Sequence, residues 1–314
     1  MTSSSAIATR PAYRPYAATV AGVQRLSPHF VRVTFTGPDF DVFGTAGLDQ
    51  RIKLILPLAD GSLSDIGQHD ETVIDAGDWY TIWRELPGER RGALRTYTVR
   101  RVDPARRRLD VDFVVHHDAG PAGSWAEQAA VGQERVIVGP DQRSEAYRVG
   151  LDWHPGTARR VLLAGDETAA PAIAGILESL DGAFDVDVFI EVPTAADALT
   201  IDVPGTFRVT WLERGARAHG AALADAVTAW AAGNADVLTR AAAPRRQELA
   251  DVDVDVDLLW DSPEDSEGEF YAWIAGEAAM VKGLRRHLVQ GCGVDRKRVA
   301  FMGYWRLGQS ERQE

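Results

Sequence analysis

The residues of this chain most able to do chemistry lie in the run 95–100, which reads Arg-Thr-Tyr-Thr-Val-Arg. In an extended strand, Arg95 and Tyr97 point to one face and Thr96 and Thr98 to the other, and at a strand end these directions surround a ligand. An arginine fork binds pyrophosphate, a tyrosine ring stacks on a flat ring, and a threonine hydroxyl hydrogen-bonds ring nitrogens. Taken alone, such a run is more often part of an ordinary strand.

A second element with binding chemistry follows further along the chain, where residues 120–126 read Gly-Pro-Ala-Gly-Ser-Trp-Ala. Gly123 and Ser124 are predicted to open a helix, and the backbone amides and dipole of a helix N-terminus attract phosphate. A serine that only caps the helix would give the same sequence. In this order, the two elements indicate a flavin-dinucleotide site, one for the ring and one for the pyrophosphate. His116, between them, either contacts the adenine or ribose or is a surface histidine at a strand end.

The elements that must position these residues differ between the two halves of the chain. Before residue 140, short alternating apolar runs are separated by turns, as half-buried strands require. Those runs are 30–36, 51–56, 109–115 and 135–138. They predict a small antiparallel β-barrel over residues 16–153, after a disordered tail at 1–15. Over 154–314, short apolar strands alternate with helices, which predicts a doubly wound α/β domain with a parallel sheet.

The first turn of this second half is a candidate nucleotide-binding corner. Residues 165–168, Gly-Asp-Glu-Thr, follow a strand, where ligands bind in open α/β sheets. The corner lacks the G-x-G-x-x-G fingerprint, and an ordinary turn capped by Asp166 is the alternative. Glu277, after a later strand, either lines the same cleft or is a first-turn acid favoured by the helix dipole. Arg214 and Arg217, just after a strand, are placed to hold a 2′-phosphate, but Glu213 beside them argues against this, so the choice between NADH and NADPH stays open.

The composition limits the classes of protein that this chain can belong to. Its 314 residues are 45% hydrophobic and 25% charged, which predicts a globular protein of two domains. A net charge of −12 disfavours nucleic acid and anionic membranes, so an anionic ligand needs a local basic pocket. A single cysteine, Cys292, excludes an internal disulfide or a cysteine-ligated cluster. The polar start and the absence of a long apolar run predict a cytoplasmic protein, with a monomer as the default expectation.

Five segments together carry a resemblance to a known family. They are 95–100, 112–116, 120–126, 163–169 and 303–306. In type and order they resemble the siderophore-interacting protein family, whose members are flavin-dependent ferric-siderophore reductases related to ferredoxin reductases. The resemblance runs from about Tyr16 to Gly308, and it implies FAD in the barrel, NADH or NADPH at the second domain, and an anionic ferric siderophore as substrate. The segment between Ala231 and Gly268 is longer than expected for a compact member.

The resemblance also implies which residues bind these molecules. For FAD they are Arg95, Thr96, Tyr97, Thr98, Val99, Asp112, His116, Ala122, Gly123, Ser124 and Trp125. For the nicotinamide cofactor they are Gly165, Asp166, Glu167, Thr168 and Glu277. For the siderophore they are Lys53, Arg143 and Arg306, with Arg143 the looser match and a solvated surface charge as the alternative for each.

The implied reaction is the NAD(P)H-dependent reduction of a ferric siderophore. A hydride passes from the nicotinamide to N5 of FAD, and single electrons then pass to the chelated iron, which the hard donors hold less tightly once it is ferrous. This chemistry needs no catalytic side-chain acid or base and no metal ligand from the protein. Two alternatives remain: a general flavin reductase that serves another acceptor, and a siderophore-binding protein without catalysis.

Overall fold

The structure is a computed structural model that describes residues 10–115, 120–249, 259–264 and 266–309. These residues form two compact units. The described residues up to 24, together with 31–151, make up the first unit, and 25–30 together with the described residues from 152 onwards make up the second. No described helix combines the length and the apolar composition that crossing a bilayer requires.

The first unit is built on a seven-stranded sheet, because its short alternating runs each have an apolar face to bury. The strands are β1 (Tyr13–Arg25), β2 (Phe30–Thr36), β3 (Arg51–Ile55), β4 (Leu94–Thr98), β5 (Arg101–Asp103), β6 (Arg108–Val114) and β7 (Glu134–Pro140). Their order is β4-β3-β7-β1-β2-β6-β5, with antiparallel pairing of β1 with β7, β3 with β4 and β7, and β5 with β6. The predicted antiparallel architecture of the first half is confirmed.

Both faces of this sheet are covered by apolar side chains. One face carries the larger cluster, in which Tyr16, Phe35 and Phe113 are fully buried. A smaller cluster that includes Ile55 and Trp83 lies against the sheet through Val136 and Val138 of β7. The edge strand β4 is therefore supported by a sheet that is packed on both faces.

The helices of the first unit are α1 (Glu71–Ala76), α2 (Trp79–Glu85) and α3 (Pro121–Glu127). The sequence pattern did not predict α1 or α2. Asp70 caps α1 by accepting a hydrogen bond from the amide of Thr72 at 2.8 Å. Trp83 anchors α2, because its ring is buried and its indole N–H donates to the carbonyl of Gly92 at 3.0 Å.

Two predicted boundaries are wrong. Strand β1 begins at Tyr13, inside the predicted tail 1–15, because its first residues pair with the end of β7. Helix α3 begins at Pro121, so Gly123 and Ser124 lie in its first turn instead of opening it. Proline suits the first helical position, since its fixed φ fits a helix and its missing N–H would have no intrahelical partner there.

The second unit contains a six-stranded sheet with helices packed against it. Its strands are β8 (Arg160–Gly165), β9 (Asp185–Val192), β10 (Arg208–Glu213), β11 (Trp260–Asp261), β12 (Phe270–Glu277) and β13 (Val299–Trp305), and its helices are α4 (Ala170–Ser179), α5 (Ala221–Gly233), α6 (Ala235–Arg240) and α7 (Ala278–Arg285). The order is β10-β9-β8-β12-β13-β11, parallel throughout except for β11, an antiparallel edge strand that was not predicted. The predicted parallel sheet is confirmed, and its strand order reverses between β8 and β12, where such sheets bind ligands.

Candidate functional site

In the first unit, β4 places the Arg-Thr-Tyr-Thr run beside β3. Lys53 lies opposite Thr96 in the ladder, and its Nζ donates to Thr96 Oγ1 at 2.7 Å. Arg95 is half-buried and donates to the carbonyl of the preceding residue at 2.8 Å. Thr98 and Val99 are buried. A lysine predicted to bind the substrate thus contacts a threonine predicted to bind flavin.

A chain of aromatic rings connects β4 to α3. The centroid of the Tyr97 ring lies 4.4 Å from that of Phe113, and Phe113 lies 5.5 Å from Trp125 in an edge-to-face arrangement. The indole N–H of Trp125 donates to Gln133 at 3.1 Å, and the guanidinium of Arg135 lies 4.4 Å from its ring centroid. The structure therefore brings Tyr97 and Trp125 into one cluster. Phe113 was not predicted as a site residue, although it lies on an alternating strand and within the segment 112–116 that carries part of the family resemblance.

The first turn of α3 supplies backbone amides close to this cluster. Ala122 and Gly123 are buried there, and Ser124 is exposed. First-turn amides have no intrahelical acceptor, which makes them suited to phosphate oxygens. His116 lies outside the described residues.

Asp112 is held by a neighbouring arginine. Its buried carboxylate accepts from Nε of Arg32 at 2.6 Å and from Nη2 at 2.8 Å, and Nε of Arg100 lies 3.7 Å away. A two-pronged pair of this kind fixes both side chains and ties β2 to β6. A direct contact of Asp112 with a cofactor stays a prediction.

The donor set of the first unit fits a flavin dinucleotide. Arg95 and the first-turn amides of Ala122 and Gly123 suit a pyrophosphate, and the Tyr97 ring suits a flat ring system. Thr98 adds a hydroxyl at the end of the strand. These groups come from β4 and α3, which the Tyr97–Phe113–Trp125 chain links.

In the second unit, Asp166 lies after β8 at the point where the strand order reverses. Its side chain is fully buried, and Oδ1 accepts from the amide of Thr168 at 2.9 Å and from its hydroxyl at 2.5 Å. Its Oδ2 accepts from the amide of Glu277 at 2.7 Å, from Nε1 of Trp305 at 2.9 Å and from Nε2 of His219 at 3.2 Å. The carboxylate therefore joins the ends of β8, β12 and β13 with the loop that follows β10.

The next residue, Glu167, extends this network. Its buried carboxylate accepts from Arg214 at 2.7 and 3.2 Å, and Arg214 also lies 2.6 Å from Nδ1 of His219 and 3.6 Å from Glu191. Because a guanidinium only donates, Nδ1 of His219 accepts, and its Nε2 carries the proton that is donated to Asp166. Burial raises the pKa of Asp166 to about 6, and the charge of Glu167 adds to the rise. Arg214, predicted as a possible 2′-phosphate ligand, is instead held by buried carboxylates.

Gly276 and Glu277 complete the corner from β12. Gly276 has φ +140°, and a Cβ there would lie 2.6 Å from Oδ2 of Asp166, so the close approach of Asp166 requires glycine. Glu277 caps α7, because its side chain accepts from the amide of Met280 at 2.8 Å. It also accepts from the amide of Leu307 at 3.3 Å. The cap gives Glu277 a structural role, and a contact between Glu277 and a nicotinamide cofactor stays a prediction.

Asp166, Glu167 and His219 place one potential metal-ligand atom each within 4.8 Å of one another. N–H and O–H donors already fill the carboxylate of Asp166, and the Arg214 guanidinium supplies a positive charge among these groups. The geometry is therefore that of a hydrogen-bond network. His219, Arg214 and Trp305 belong to it; the sequence had suggested Arg214 only for a 2′-phosphate and had given Trp305 and His219 no site role.

The three basic residues predicted to bind the siderophore differ in their partners. Arg143 donates to both oxygens of Asp141, from Nε at 2.9 Å and from Nη2 at 2.7 Å, and its side chain is 40% exposed. Lys53 is half-buried against Thr96. Arg306 directly follows β13 in the second unit and is also partly buried. Their shared role stays a prediction.

Comparison with known proteins assigns the fold to a class and the chain to a family. The fold is that of ferredoxin reductases: the ferredoxin reductase of carbazole 1,9a-dioxygenase aligns with a TM-score of 0.57 at 17% identity, over 94% of this chain and 71% of that one. The model of the siderophore-interacting FAD-binding domain matches residues 19–144, and that of the siderophore-interacting protein matches residues 158–308. The chain belongs to the siderophore-interacting protein family, as the resemblance in its motifs predicted.

Several relatives align over nearly the whole chain. An uncharacterized protein of Mycobacterium tuberculosis is 34% identical over 93% of this chain and 90% of its own length. The ferric vibriobactin reductase ViuB of Vibrio cholerae is 28% identical, over 91% and 87%. The NADPH-dependent ferric-chelate reductase of Escherichia coli is 27% identical, over 91% and 91%. The crystal structure of a siderophore utilization protein from T. fusca aligns with a TM-score of 0.66 at 27% identity, over 96% of both chains.

Proposed function

We propose that this chain is an NAD(P)H-dependent flavoprotein that reduces ferric siderophores and releases ferrous iron in the cytoplasm. Two relatives that align over most of the chain are named ferric reductases. The observation that carries the proposal is the packing of Tyr97, through Phe113, against Trp125, which joins the Arg-Thr-Tyr-Thr strand to helix α3 just after its first turn. The single cysteine, typical of chains from reducing compartments, supports the location.

In this proposal, the residues of the first unit bind and orient FAD. Arg95 and the amides of Ala122 and Gly123 would hold the pyrophosphate, Tyr97 would supply a ring for the flavin to stack on, and the Thr98 hydroxyl would supply a hydrogen bond to the flavin ring. When bound, FAD would accept a hydride from NAD(P)H and deliver single electrons to chelated ferric iron. The side chains supply placement and charge, so none of them needs to move a proton.

The nicotinamide cofactor is proposed to meet the corner formed by Gly165–Thr168 and Glu277. This corner lies beyond the carboxyl ends of β8 and β12, where parallel sheets bind nucleotides. Because the side chains of Asp166 and Glu167 are engaged within the protein, contacts from these two residues would come from their backbone. Arg214 is held by Glu167, so an NADPH preference would need another cation for the 2′-phosphate.

The substrate is proposed to be an anionic ferric chelate. With a net charge of −12, the protein as a whole repels such a molecule, so recognition depends on local cations. Lys53, Arg143 and Arg306 are the proposed cations. Reduction lowers the affinity of hard oxygen and nitrogen donors for the iron, so its release requires no iron ligand from the protein.

Visible spectroscopy tests this function directly. FAD-reconstituted protein is expected to show flavin bands that bleach under anaerobic NADH or NADPH and return on addition of a ferric siderophore. Bleaching without reoxidation by the chelate would favour a general flavin reductase with another acceptor. Tight chelate binding without flavin reduction would favour the non-catalytic binding protein, and a chain that fails to bind FAD would contradict the proposal.

Tyrosine variants test whether the Tyr97 ring contributes to FAD binding specifically or whether loss of any tyrosine ring has the same effect. Tyr97→Ala removes the ring that packs on Phe113, and it is expected to weaken FAD binding. Tyr97→Phe keeps the ring and should retain most of the affinity. Tyr80→Ala is the matched control, because Tyr80 is an exposed tyrosine on α2, and its loss should leave FAD binding unchanged.

A further inference from the structure

The segment 305–307, at the end of β13, is fixed by buried carboxylates on both sides of Arg306. Before Arg306, the indole N–H of Trp305 donates to Oδ2 of Asp166 at 2.9 Å. After it, the amide of Leu307 donates to Oε1 of Glu277 at 3.3 Å. Asp166 is fully buried and Glu277 nearly so. The backbone that carries Arg306 is thus held from two directions.

A β-bulge directly before this segment redirects the chain. Gly276 pairs with Gly303, but Glu277, the next residue of β12, pairs with Trp305, which leaves Tyr304 as an extra residue on β13. The Tyr304 ring is stacked on Trp260 at 5.7 Å, which holds the bulge in place. A bulge changes which way the following side chains point, and such bulges are common next to active sites.

The two carboxylates form one connected support. Asp166 accepts the amide of Glu277 at 2.7 Å, and the side chain of Glu277 in turn caps α7 at Met280. The ring of His219 packs edge-on against Trp305 at 5.0 Å. Because the contacts of Asp166 and Glu277 reach β12, β13 and α7, loss of either carboxylate should loosen the same segment.

We infer that Asp166 and Glu277 are positioning residues for Arg306, holding the segment 305–307 so that the guanidinium is presented to an anionic ferric chelate. The inference rests on the proposed function, in which Arg306 meets the substrate. It gives Asp166 a role distinct from contact with the nicotinamide cofactor. A positioning role changes the affinity for the chelate, whereas a cofactor contact changes the KM for NAD(P)H.

The test compares Asp166→Asn, Trp305→Phe and the double variant in the FAD-loaded protein. The probes are the anionic ferric tris-catecholate complex and the neutral ferric acetohydroxamate complex. Each single variant is expected to raise the KM for the anionic chelate about five- to tenfold, the size of a typical net hydrogen-bond contribution, because the lost contact acts on Arg306 indirectly. The KM values for the neutral chelate and for NAD(P)H should stay within about twofold, and the double variant should add little, since both changes remove one contact.

Binding of the gallium(III) tris-catecholate complex gives a readout without turnover, because gallium(III) is not reduced. Its Kd should rise in Asp166→Asn and Trp305→Phe as the KM does. Glu277→Ala, which removes the acceptor for the Leu307 amide, should raise the gallium-chelate Kd as Asp166→Asn does, and Glu277→Gln, which keeps an oxygen for that amide, should raise it less. Asp187→Asn is the matched control, since Asp187 is a buried carboxylate near the other end of the sheet and its loss should leave the chelate Kd unchanged.

Each failure has a distinct signature. An unchanged gallium-chelate Kd in Asp166→Asn and Trp305→Phe would overturn the inference, as would a raised KM for NAD(P)H alone. If Arg306→Ala leaves chelate affinity intact while the wild type reduces the chelate, the inference is overturned and the proposed function survives. If the wild type reduces no ferric chelate, the proposed function fails, and the gallium-chelate Kd still decides whether Asp166 positions Arg306.

Discussion

The two predicted cofactor sites differ in what their side chains contact. In the first unit, Arg95, Tyr97 and Trp125 are only partly buried, as residues that must meet a ligand should be. In the second unit, Asp166 and Glu167 are almost wholly buried, and protein donors fill their carboxylates. Buried charges persist only when they are paired and hydrogen-bonded, so these two acids hold backbone segments together. A motif gives residue types, and in the second unit burial together with protein hydrogen bonds shows that the side chains of these two acids build the site instead of facing its ligand.

The largest expected effect concerns Gly276, whose backbone lies close to the carboxylate of Asp166 in the second unit. Gly276→Ala would put a Cβ 2.6 Å from Oδ2 of Asp166 at φ +140°, which L-residues rarely adopt. We expect a loss of about 2–4 kcal/mol in the free energy of unfolding, measured as a lower Tm. Gly283→Ala is the control, because Gly283 lies within α7 with nothing within 4 Å of the added methyl group. It should raise stability slightly, and equal Tm changes in the two variants would contradict the assigned role of Gly276.

The second prediction concerns FAD binding by the first unit. Arg95→Ala should weaken FAD affinity on the order of ten- to a hundredfold, because a charge-assisted contact to pyrophosphate is lost. Titration followed by flavin fluorescence measures this. Arg106→Ala is the control, since Arg106 is 77% exposed in the turn between β5 and β6 and should not affect FAD. Equal affinity in the wild type and Arg95→Ala would remove this residue from the site.

The pH dependence of stability should distinguish Asp166 from an ordinary paired carboxylate. Burial raises its pKa from 3.8 to about 6, so the folded state binds more protons than the unfolded state between these values. Its contribution to stability therefore falls as pH rises through about 6. Relative to Asp166→Asn, the wild type should lose on the order of 1–3 kcal/mol between pH 4 and pH 7.5, measured as the change in their Tm difference.

Asp187 supplies the opposite case in the same sheet. Although burial opposes it, hydrogen bonds from Arg208, Trp230 and Arg160 hold the pKa of Asp187 below its usual value. The wild type should therefore lose stability relative to Asp187→Asn as pH falls through the usual range of an aspartate. If the stability difference between the wild type and Asp166→Asn changed with pH in the same direction as that between the wild type and Asp187→Asn, the contrast between the two carboxylates would be contradicted.

The smallest expected effects concern the basic residues near the proposed substrate. Lys53→Glu should raise the KM for an anionic ferric chelate about three- to tenfold, and added salt should shrink the difference by screening. Arg143→Glu should change it only about twofold, because Arg143 is already paired with Asp141. Steady-state kinetics at low and high salt measure both. A larger effect from Arg143 than from Lys53 would reverse their assigned importance.

The sequence predicted most of the strands because their signal is local. Alternation over 30–36 and the apolar runs of the second half matched strands β2, β8, β9, β12 and β13 to within a few residues. Helices α1 and α2 were missed because each has fewer than eight residues, too few for a helical period to show. The start of β1 at Tyr13 was missed because its partner, β7, lies far away in the sequence.

The two sites were also predictable to different degrees, because one is built from a contiguous run and the other from residues far apart in the sequence. The Arg-Thr-Tyr-Thr run is contiguous, so its chemistry could be read from the printed residues. The network around Asp166 joins Arg214, His219 and Trp305, which come together only when the ends of β8, β10 and β13 meet at one edge of the sheet. No local pattern encodes that meeting, so the contact of these three residues with the Asp166–Glu167 pair could not be predicted without the strand order, although Arg214 had been selected for a different role.

The most direct test of the reductase proposal is the anaerobic stoichiometry of electron transfer. FAD-loaded protein is mixed with limiting NAD(P)H, excess ferric siderophore and a ferrous trap, and the trapped iron is counted against the cofactor consumed. A hydride carries two electrons and each ferric ion takes one, so two ferrous ions per NAD(P)H are expected. Trapped iron no higher than with free FAD and no protein would contradict the assignment of this chain as a ferric-siderophore reductase.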